Sequence, residues 1–168
     1  MRVYLTGFMG AGKTTVGALL AGRLAWRFVD LDAQVEAAAG CTVRELFATR
    51  GEPAFRALEH QALAQTLSLD DVVVATGGGT LTYATNRDLV RSRGFVVWLN
   101  PAFATIQQRI GAKGKEDRPL FSDEEQAFAL HRERLPAYRS ADATVDVGPD
   151  DQPQEVARRI ELLLRSGG

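Results

Sequence analysis

The sequence predicts an α/β domain, a five-stranded parallel sheet covered by helices on both faces. Apolar runs of strand length recur at residues 3–6, 27–31, 72–76, 95–99 and 144–147, and the segments between them carry helical patterning. Strands that alternate with helices in this way form parallel sheets with two covered faces. The second observation is local. Residues 7–14 read Gly-Phe-Met-Gly-Ala-Gly-Lys-Thr directly after the first apolar run, and Val16, Leu19, Leu20 and Leu24 follow at helical spacing. A glycine-rich turn between a strand and a helix is where backbone N–H groups and a helix N-terminus converge on phosphate. Third, a chain of 168 residues with 45% hydrophobic and 24% charged content fits one domain, large enough to bury a core without disulfides or structural metal.

Within the first loop each residue type has a task. The glycines let the backbone curl around an anion, Lys13 reaches the β and γ phosphates of a nucleotide, and the Thr14 hydroxyl can sit on Mg²⁺. The second run ends Val29-Asp30-Leu31-Asp32, which puts two carboxylates at the carboxyl edge of the sheet, where open α/β sheets bind ligands. Two residues apart, they point the same way if the strand persists. One is then placed for a metal, directly or through water, and the other for a substrate hydroxyl; a pair of solvated helix-capping acids is the structural alternative. From Leu31 to Asp71 the connection is too long for one crossover helix. Two or three helices are expected there, packed as a small lobe over residues 32–70 that closes on a second substrate.

The third run ends Ala75-Thr76-Gly77-Gly78-Gly79-Thr80, and three successive glycines leave backbone amides open to close approach by a ligand. No aspartate closes this strand, so Asp30 has to serve the metal that an acid there would otherwise hold. Helix starts are legible as capping-box spacings at Thr42 with Glu45 and at Ser122 with Glu125, and as a cap at Asn100 ahead of Pro101 in a first turn. Residues 111–122 hold the most polar stretch between helical patterns and contain two glycines, which predicts a lid. Arg56, Arg118 and Arg134 carry planar guanidinium groups suited to carboxylate or phosphate. In a chain with 17 arginines, only their neighbours in sequence single these out.

Composition narrows the function classes. A net charge of −1 gives no electrostatic reason to expect nucleic acid or an anionic membrane as partner. No run approaches the roughly 18 apolar residues of a membrane span. The N-terminus enters the first strand without a basic, apolar leader, so a cytoplasmic location is expected. Cys41, the only cysteine, leaves no intrachain disulfide and no cysteine-rich metal cluster.

In order and spacing, Gly-x-Met-Gly-Ala-Gly-Lys-Thr, Asp30-x-Asp32, Gly51-Glu52 with Phe55-Arg56, Ala75-Thr76-Gly77-Gly78-Gly79, Arg118-Pro119-Leu120 and Arg134-x-x-x-Tyr138 resemble the shikimate kinase family over nearly the whole chain. The loop alone is generic, whereas the Asp-x-Asp, Gly-Glu-x-x-Phe-Arg and triple-glycine segments together are specific. The resemblance implies a three-layer P-loop kinase fold and transfer of the ATP γ-phosphoryl group to the 3-hydroxyl of shikimate. It further implies that Gly10, Ala11, Gly12, Lys13, Thr14 and Thr15 hold the ATP phosphates, with Mg²⁺ on Thr14 and Asp30. Asp32 would bind the ring hydroxyls and orient or deprotonate the 3-hydroxyl. Arg56 and Arg134 would grip the shikimate carboxylate and the Gly78 amide a hydroxyl, with Gly77 and Gly79 also in the substrate site, and Arg118 would close with the lid onto the transferring phosphate. Arg109 resembles the family's adenine-stacking arginine, and Gln152 falls in a loosely matching adenine loop over 148–154. A monomer is expected. The competing readings are another small-molecule kinase, for gluconate or a nucleoside monophosphate, and a nucleotide-dependent switch; the chain lacks the Asn-Lys-x-Asp segment a guanine-reading switch would want.

Overall fold

The computed structural model describes residues 1–113 and 124–167. Five strands, β1 (Arg2–Thr6), β2 (Arg27–Asp30), β3 (Val72–Ala75), β4 (Phe95–Pro101) and β5 (Ala143–Val147), form one parallel sheet in the order β2-β3-β1-β4-β5. The helices α1 (Lys13–Leu24), α2 (Leu31–Ala39), α3 (Val43–Thr66), α4 (Ala84–Arg91), α5 (Phe103–Lys113), α6 (Glu124–Arg139) and α7 (Pro153–Ser166) connect or flank them, and a single 3₁₀ turn spans Thr80–Thr82.

Side-chain alternation divides the core. Val3, Leu5, Val73, Val97 and Leu99 face one side of the sheet, where Val16, Leu20, Val156 and Ile160 of α1 and α7 cover them. Tyr4, Val72, Val74 and Val96 face the other side and pack on Leu31, Val35, Leu46, Leu63 and Val90 of α2, α3 and α4. A strand buried on both faces needs apolar residues at every position, which is why these runs are continuous and not alternating. A third cluster of Phe8, Trp98, Ile106, Ala127 and Tyr138 sits at the carboxyl end of the sheet and joins the glycine-rich loop to α5 and α6.

The expected elements stand with three adjustments. β2 stops at Asp30, one residue early, because Asp30 turns the chain as N-cap of α2 and accepts from the Ala33 amide at 3.3 Å. The connecting lobe contains α2 and α3, and Gly51, at φ 80° and ψ 172°, breaks α3 into two segments, so three helical pieces are present. Pro53 therefore lies in the first turn of the second piece, where its missing N–H costs nothing. The cap expected at Asn100 is not one. Asn100 and Pro101 are the last two residues of β4, paired with Asp146 and Val147, and Asn100 Nδ2 donates to Asp146 Oδ1 at 2.9 Å. The strand outlasts its apolar run because β5 supplies a neighbour for both residues. Ser122, Arg118 and most of the expected lid lie outside the described residues.

The capping box at the start of α3 is complete: Thr42 Oγ1 accepts from the Glu45 amide at 3.1 Å, and Glu45 Oε2 accepts from the Thr42 amide at 2.9 Å. Replacing Thr42 by Ala removes one of these bonds and should cost about 1 kcal/mol. Thermal unfolding should then show a melting point lower by roughly 2–4 °C.

Candidate active site

Two loops and four helices, α1, α2, α3 and α6, meet at the carboxyl edge of the sheet around a cleft of about 370 Å³. The first loop leaves β1 with Gly7 at φ 145°, and a Cβ there would stand 2.6 Å from the Leu99 carbonyl oxygen. No side chain fits between these backbones. Gly10 and Gly12 also have positive φ, and Gly12 caps α1. Lys13 Nζ folds back over the loop, donating to the Gly7 and Phe8 carbonyls at 2.6 and 3.0 Å. Gly10, Gly12, Lys13, Thr14 and Thr15 line the cleft, while Ala11 is buried beneath them with its amide tied to the Phe8 carbonyl at 3.1 Å.

Across the cleft, Thr14 Oγ1 donates to Asp30 Oδ2 at 2.8 Å. This contact joins the α1 start to the β2 end and gathers a hydroxyl and a carboxylate oxygen beside the phosphate loop. Among the described residues no group of three or more His, Cys, Asp or Glu gathers as a metal cage. The protein donors on offer suit Mg²⁺, which keeps several waters and takes one or two carboxylates plus substrate phosphates.

Asp32 lies in the first turn of α2, so helix geometry, not strand parity, aims it into the cleft beside Asp30. Its side chain is open to water on the cleft side but crowded by the walls. That partial burial, then repulsion from Asp30 and more weakly from Glu59 and Glu36, pushes its pKa up to about 6, with Lys13 pulling the other way.

On the acceptor side, Arg56 and Arg134 converge on the triple glycine. A Cβ on Gly79 would stand 2.8 Å from Arg56 Nη2 and 2.9 Å from Arg134 Nη2. Arg134 is buried at 6% exposure, and a Cβ on Gly78 would come within 3.1 Å of its Nη1. Gly77 packs so closely that a Cβ would meet Thr80 Oγ1 at 2.9 Å, Glu59 Oε2 at 3.0 Å and Asp32 Oδ1 at 3.3 Å. Tyr138 Oη donates to the Gly78 carbonyl at 2.7 Å, and burial holds the phenol up at about 12, so it stays a donor.

Glu59 is a site residue the sequence reading passed over. It is fully buried, bonded to Arg56 Nη1 at 2.9 Å through one oxygen and to Thr80 Oγ1 at 2.7 Å through the other. Burial works against the Arg56 charge, but Glu59, and after it Tyr83 and Glu52, more than offset it and raise its pKa. The signal was present as Glu52, Arg56 and Glu59 at i, i+4 and i+7, one face of a helix. Met9, Val43, Phe47 and Phe55 complete the cleft wall, the two phenylalanine rings 4.9 Å apart.

Two residues stand off the cleft. Arg109, on α5, donates through Nη1 to the Gly10 carbonyl at 3.1 Å, behind the phosphate loop. Gln152 is the N-cap of α7, with Pro153 at the helix start. The loop before it is pinned by Asp151, whose Oδ2 accepts from the Gly148 amide at 2.8 Å and from Arg159 Nη2 at 2.6 Å.

Asp32 carries a sign that can be measured. Its folded pKa of about 6 exceeds the ordinary 3.8, so between those values the folded chain binds a proton that the unfolded chain does not. Stability therefore falls as pH rises from 4 to 6, and above 6 the ionised group is a standing cost. Asp32→Asn should melt above the wild type at pH 7.5 in the absence of ligands, with the gap closing as the pH is lowered to 4. A gap that ignores pH would mean the carboxylate is not strained by its surroundings.

The shikimate kinase family model matches residues 9–165. A shikimate kinase from Thermosynechococcus vestitus is 43% identical over 161 residues, covering 94% of this chain and 86% of that protein. Among solved structures, shikimate kinase from Acinetobacter baumannii in complex with shikimate superposes with a TM-score of 0.89 at 36% identity, covering 99% of this chain and 93% of that one. A gluconokinase from Sinorhizobium meliloti shares the fold at a TM-score of 0.61 and 18% identity, covering 99% and 97%. The match over nearly the whole length, with the phosphate loop and the paired arginines facing one cleft, places this chain in the shikimate kinase family.

Proposed function

We infer that the chain transfers the γ-phosphoryl group of ATP to the 3-hydroxyl of shikimate, giving shikimate 3-phosphate and ADP in the chorismate route to aromatic amino acids. The observation that carries this reading is the pairing of Arg56 and Arg134 at Gly79, in the same cleft as Lys13 and Thr14. Two guanidinium groups on one small concave spot suit a carboxylate, and a phosphate loop beside them suits a phosphoryl donor.

The amides of residues 10–15 cradle the ATP phosphates, and Lys13 leaves the Gly7 and Phe8 carbonyls to neutralise developing charge. Thr14 and Asp30 are the groups that would hold Mg²⁺. Bound there, the ion supplies positive charge to the phosphate oxygens. Arg56 and Arg134 fix the carboxylate of shikimate, with Gly77, Gly78 and Gly79 leaving room for the ring. Asp32 holds the hydroxyls and accepts the hydrogen bond of the 3-hydroxyl; with a pKa of about 6 it is ionised at neutral pH and a better proton acceptor than an ordinary carboxylate. A loose phosphoryl-transfer transition state needs alignment and positive charge more than covalent help. Arg118, assigned from sequence to a lid over 111–122, adds the remaining charge and keeps water from competing with shikimate. Arg109 of α5 and Gln152 of the 148–154 loop serve the adenine side. The helices of residues 32–70 act as the acceptor lobe of a single 1–168 domain that works as a monomer in the cytoplasm, free of nucleic acid and membrane.

Release of ADP from ATP and Mg²⁺ should depend on shikimate and not on gluconate or nucleoside monophosphates offered in turn. Turnover that ignores the acceptor, or that prefers gluconate, would overturn the reading. Arg134→Ala should raise the shikimate KM by roughly ten- to a hundredfold, the loss of one charged hydrogen-bonding partner at about 1.5–3 kcal/mol. The KM for ATP should stay within a small factor. Shikimate KM unchanged in a variant that still folds, as judged by circular dichroism, would place the carboxylate elsewhere.

A further inference from the structure

We propose that Asn86 and His60 are positioning residues for the acceptor: together they fix the gap between α3 and the turn after the triple glycine, and so the pose in which Glu59 holds Arg56 against Gly79. The inference rests on the shikimate reading above and adds to it two residues that line no part of the cleft.

Every carbonyl from Gly77 to Thr82 is taken. The Gly77 oxygen accepts from the Thr80 amide at 3.3 Å, the Gly78 oxygen from Tyr138 Oη at 2.7 Å, and the Gly79 oxygen from the Thr82 amide and hydroxyl at 3.1 and 2.6 Å. The Thr80 oxygen accepts from Asn86 Nδ2 at 2.9 Å, and the Leu81 and Thr82 oxygens accept from Arg87 Nη1 at 3.0 and 2.7 Å. Three side chains reach in from outside the turn, Tyr138, Arg87 and Asn86. Of these, among the described residues, Asn86 is the one that also bonds α3.

Asn86 is in the first turn of α4 and 3% exposed. Because a carbonyl can only accept, the Asn86 atom that faces Thr80 is Nδ2, which leaves Oδ1 toward His60. That oxygen lies 2.6 Å from His60 Nδ1, so His60 carries a hydrogen on Nδ1 and donates it. His60 follows Glu59 on α3, and Glu59 Oε2 accepts from Thr80 Oγ1 at 2.7 Å. The contacts close a ring, from Glu59 through Thr80, Asn86 and His60 and back along α3. Glu59 Oε1 is left free of the ring and takes Arg56 Nη1 at 2.9 Å. The fit at the arginine has no slack, since a Cβ on Gly79 would stand 2.8 Å from Arg56 Nη2. Opening the ring at His60 lets Thr80 drift from α3, and the Glu59 carboxylate is then divided between following Thr80 and staying with Arg56. An Arg56 with several poses has to lose that freedom when a carboxylate binds, which weakens acceptor binding and leaves the transfer step alone.

The test is steady-state kinetics of the full chain with Mg²⁺, shikimate and ATP varied in turn, in the wild type, His60→Leu, His60→Asn and Asn86→Asp. His60 is exposed, so its variants leave the core intact. His60→Leu removes the donor and should raise the shikimate KM roughly three- to tenfold, the worth of one hydrogen bond, with kcat and the ATP KM within about twofold. His60→Asn keeps an N–H where Nδ1 stood and should return the shikimate KM to the wild-type value. Asn86→Asp turns an oxygen toward the Thr80 carbonyl and should raise the shikimate KM at least as far as His60→Leu does. If Asn86→Asp does not fold, the two His60 variants decide. A shikimate KM unchanged in His60→Leu whatever its melting point, equal losses in the Leu and Asn variants, or KM values for both substrates rising together overturns the positioning role and leaves the substrate reading intact. A wild type that does not phosphorylate shikimate overturns the substrate reading, and the positioning role with it.

Discussion

The site depends on the end of β3 carrying no side chains. β3 lies between β2 and β1, with Ala75 in register with both Asp30 and Leu5. Thr14 can reach Asp30 only across the space above β3, and the acceptor groups can gather only in the same space. Thr76 anchors the strand end, its amide and hydroxyl both donating to the Leu5 carbonyl at 3.1 and 2.8 Å, and then the glycines begin. Where β3 would have placed its own side chains stand Asp32 from α2, Glu59 and Arg56 from α3, and Arg134 from α6. An acidic residue at the strand end would have served a metal from directly beneath. Here the acid at the strand ends is Asp30 of the neighbouring strand, and the vacated volume holds Asp32, Glu59, Arg56 and Arg134.

That arrangement concentrates charge, and the charges are balanced in pairs with different degrees of satisfaction. Glu59 is buried and answered on both oxygens, by Arg56 and by Thr80. Breaking a buried pair of this kind by removing one partner leaves an uncompensated charge, a penalty of about 3–5 kcal/mol. The pair thus holds Arg56 in one pose at the price of a stiff local structure. Asp32 is the opposite case, crowded by Asp30, Glu36 and Glu59 with Lys13 as its counterweight. The structure keeps Glu59 satisfied and Asp32 crowded, which is the pattern expected where stability is given up for chemistry.

What was legible in the sequence was local. The phosphate loop, the strand ends and the Thr42 capping box depend on residues within a few positions of one another, and the structure places them accordingly. What was not legible needed a neighbour from elsewhere in the chain. Asn100 and Pro101 read as a helix start because nothing near them announces that β5 will pair with both. Glu59 was passed over, since one of its two partners is Thr80, 21 residues away. Phe8 is invisible for the same reason, being a free position in its motif until α6 is laid upon it. The roles of Arg109 and Gln152 came from family resemblance and not from their local chemistry.

The strand order itself divides the proposed donor groups from the proposed acceptor groups. β2 and β3, on one side of the central β1, end in Asp30 and the glycines, while β4 and β5, on the other, lead into α5 with Arg109 and into α7 through Gln152. The loop after β1 sits between, at the boundary that a phosphoryl group would have to cross. Helix α6 crosses the division: it follows β4 in the chain yet carries Arg134 to the glycines after β3 and rests His131 against the loop. Through its His131 and Arg134 side chains that helix packs on Phe8 of the phosphate loop, so the loop and the wall that carries Arg134 share one packed boundary.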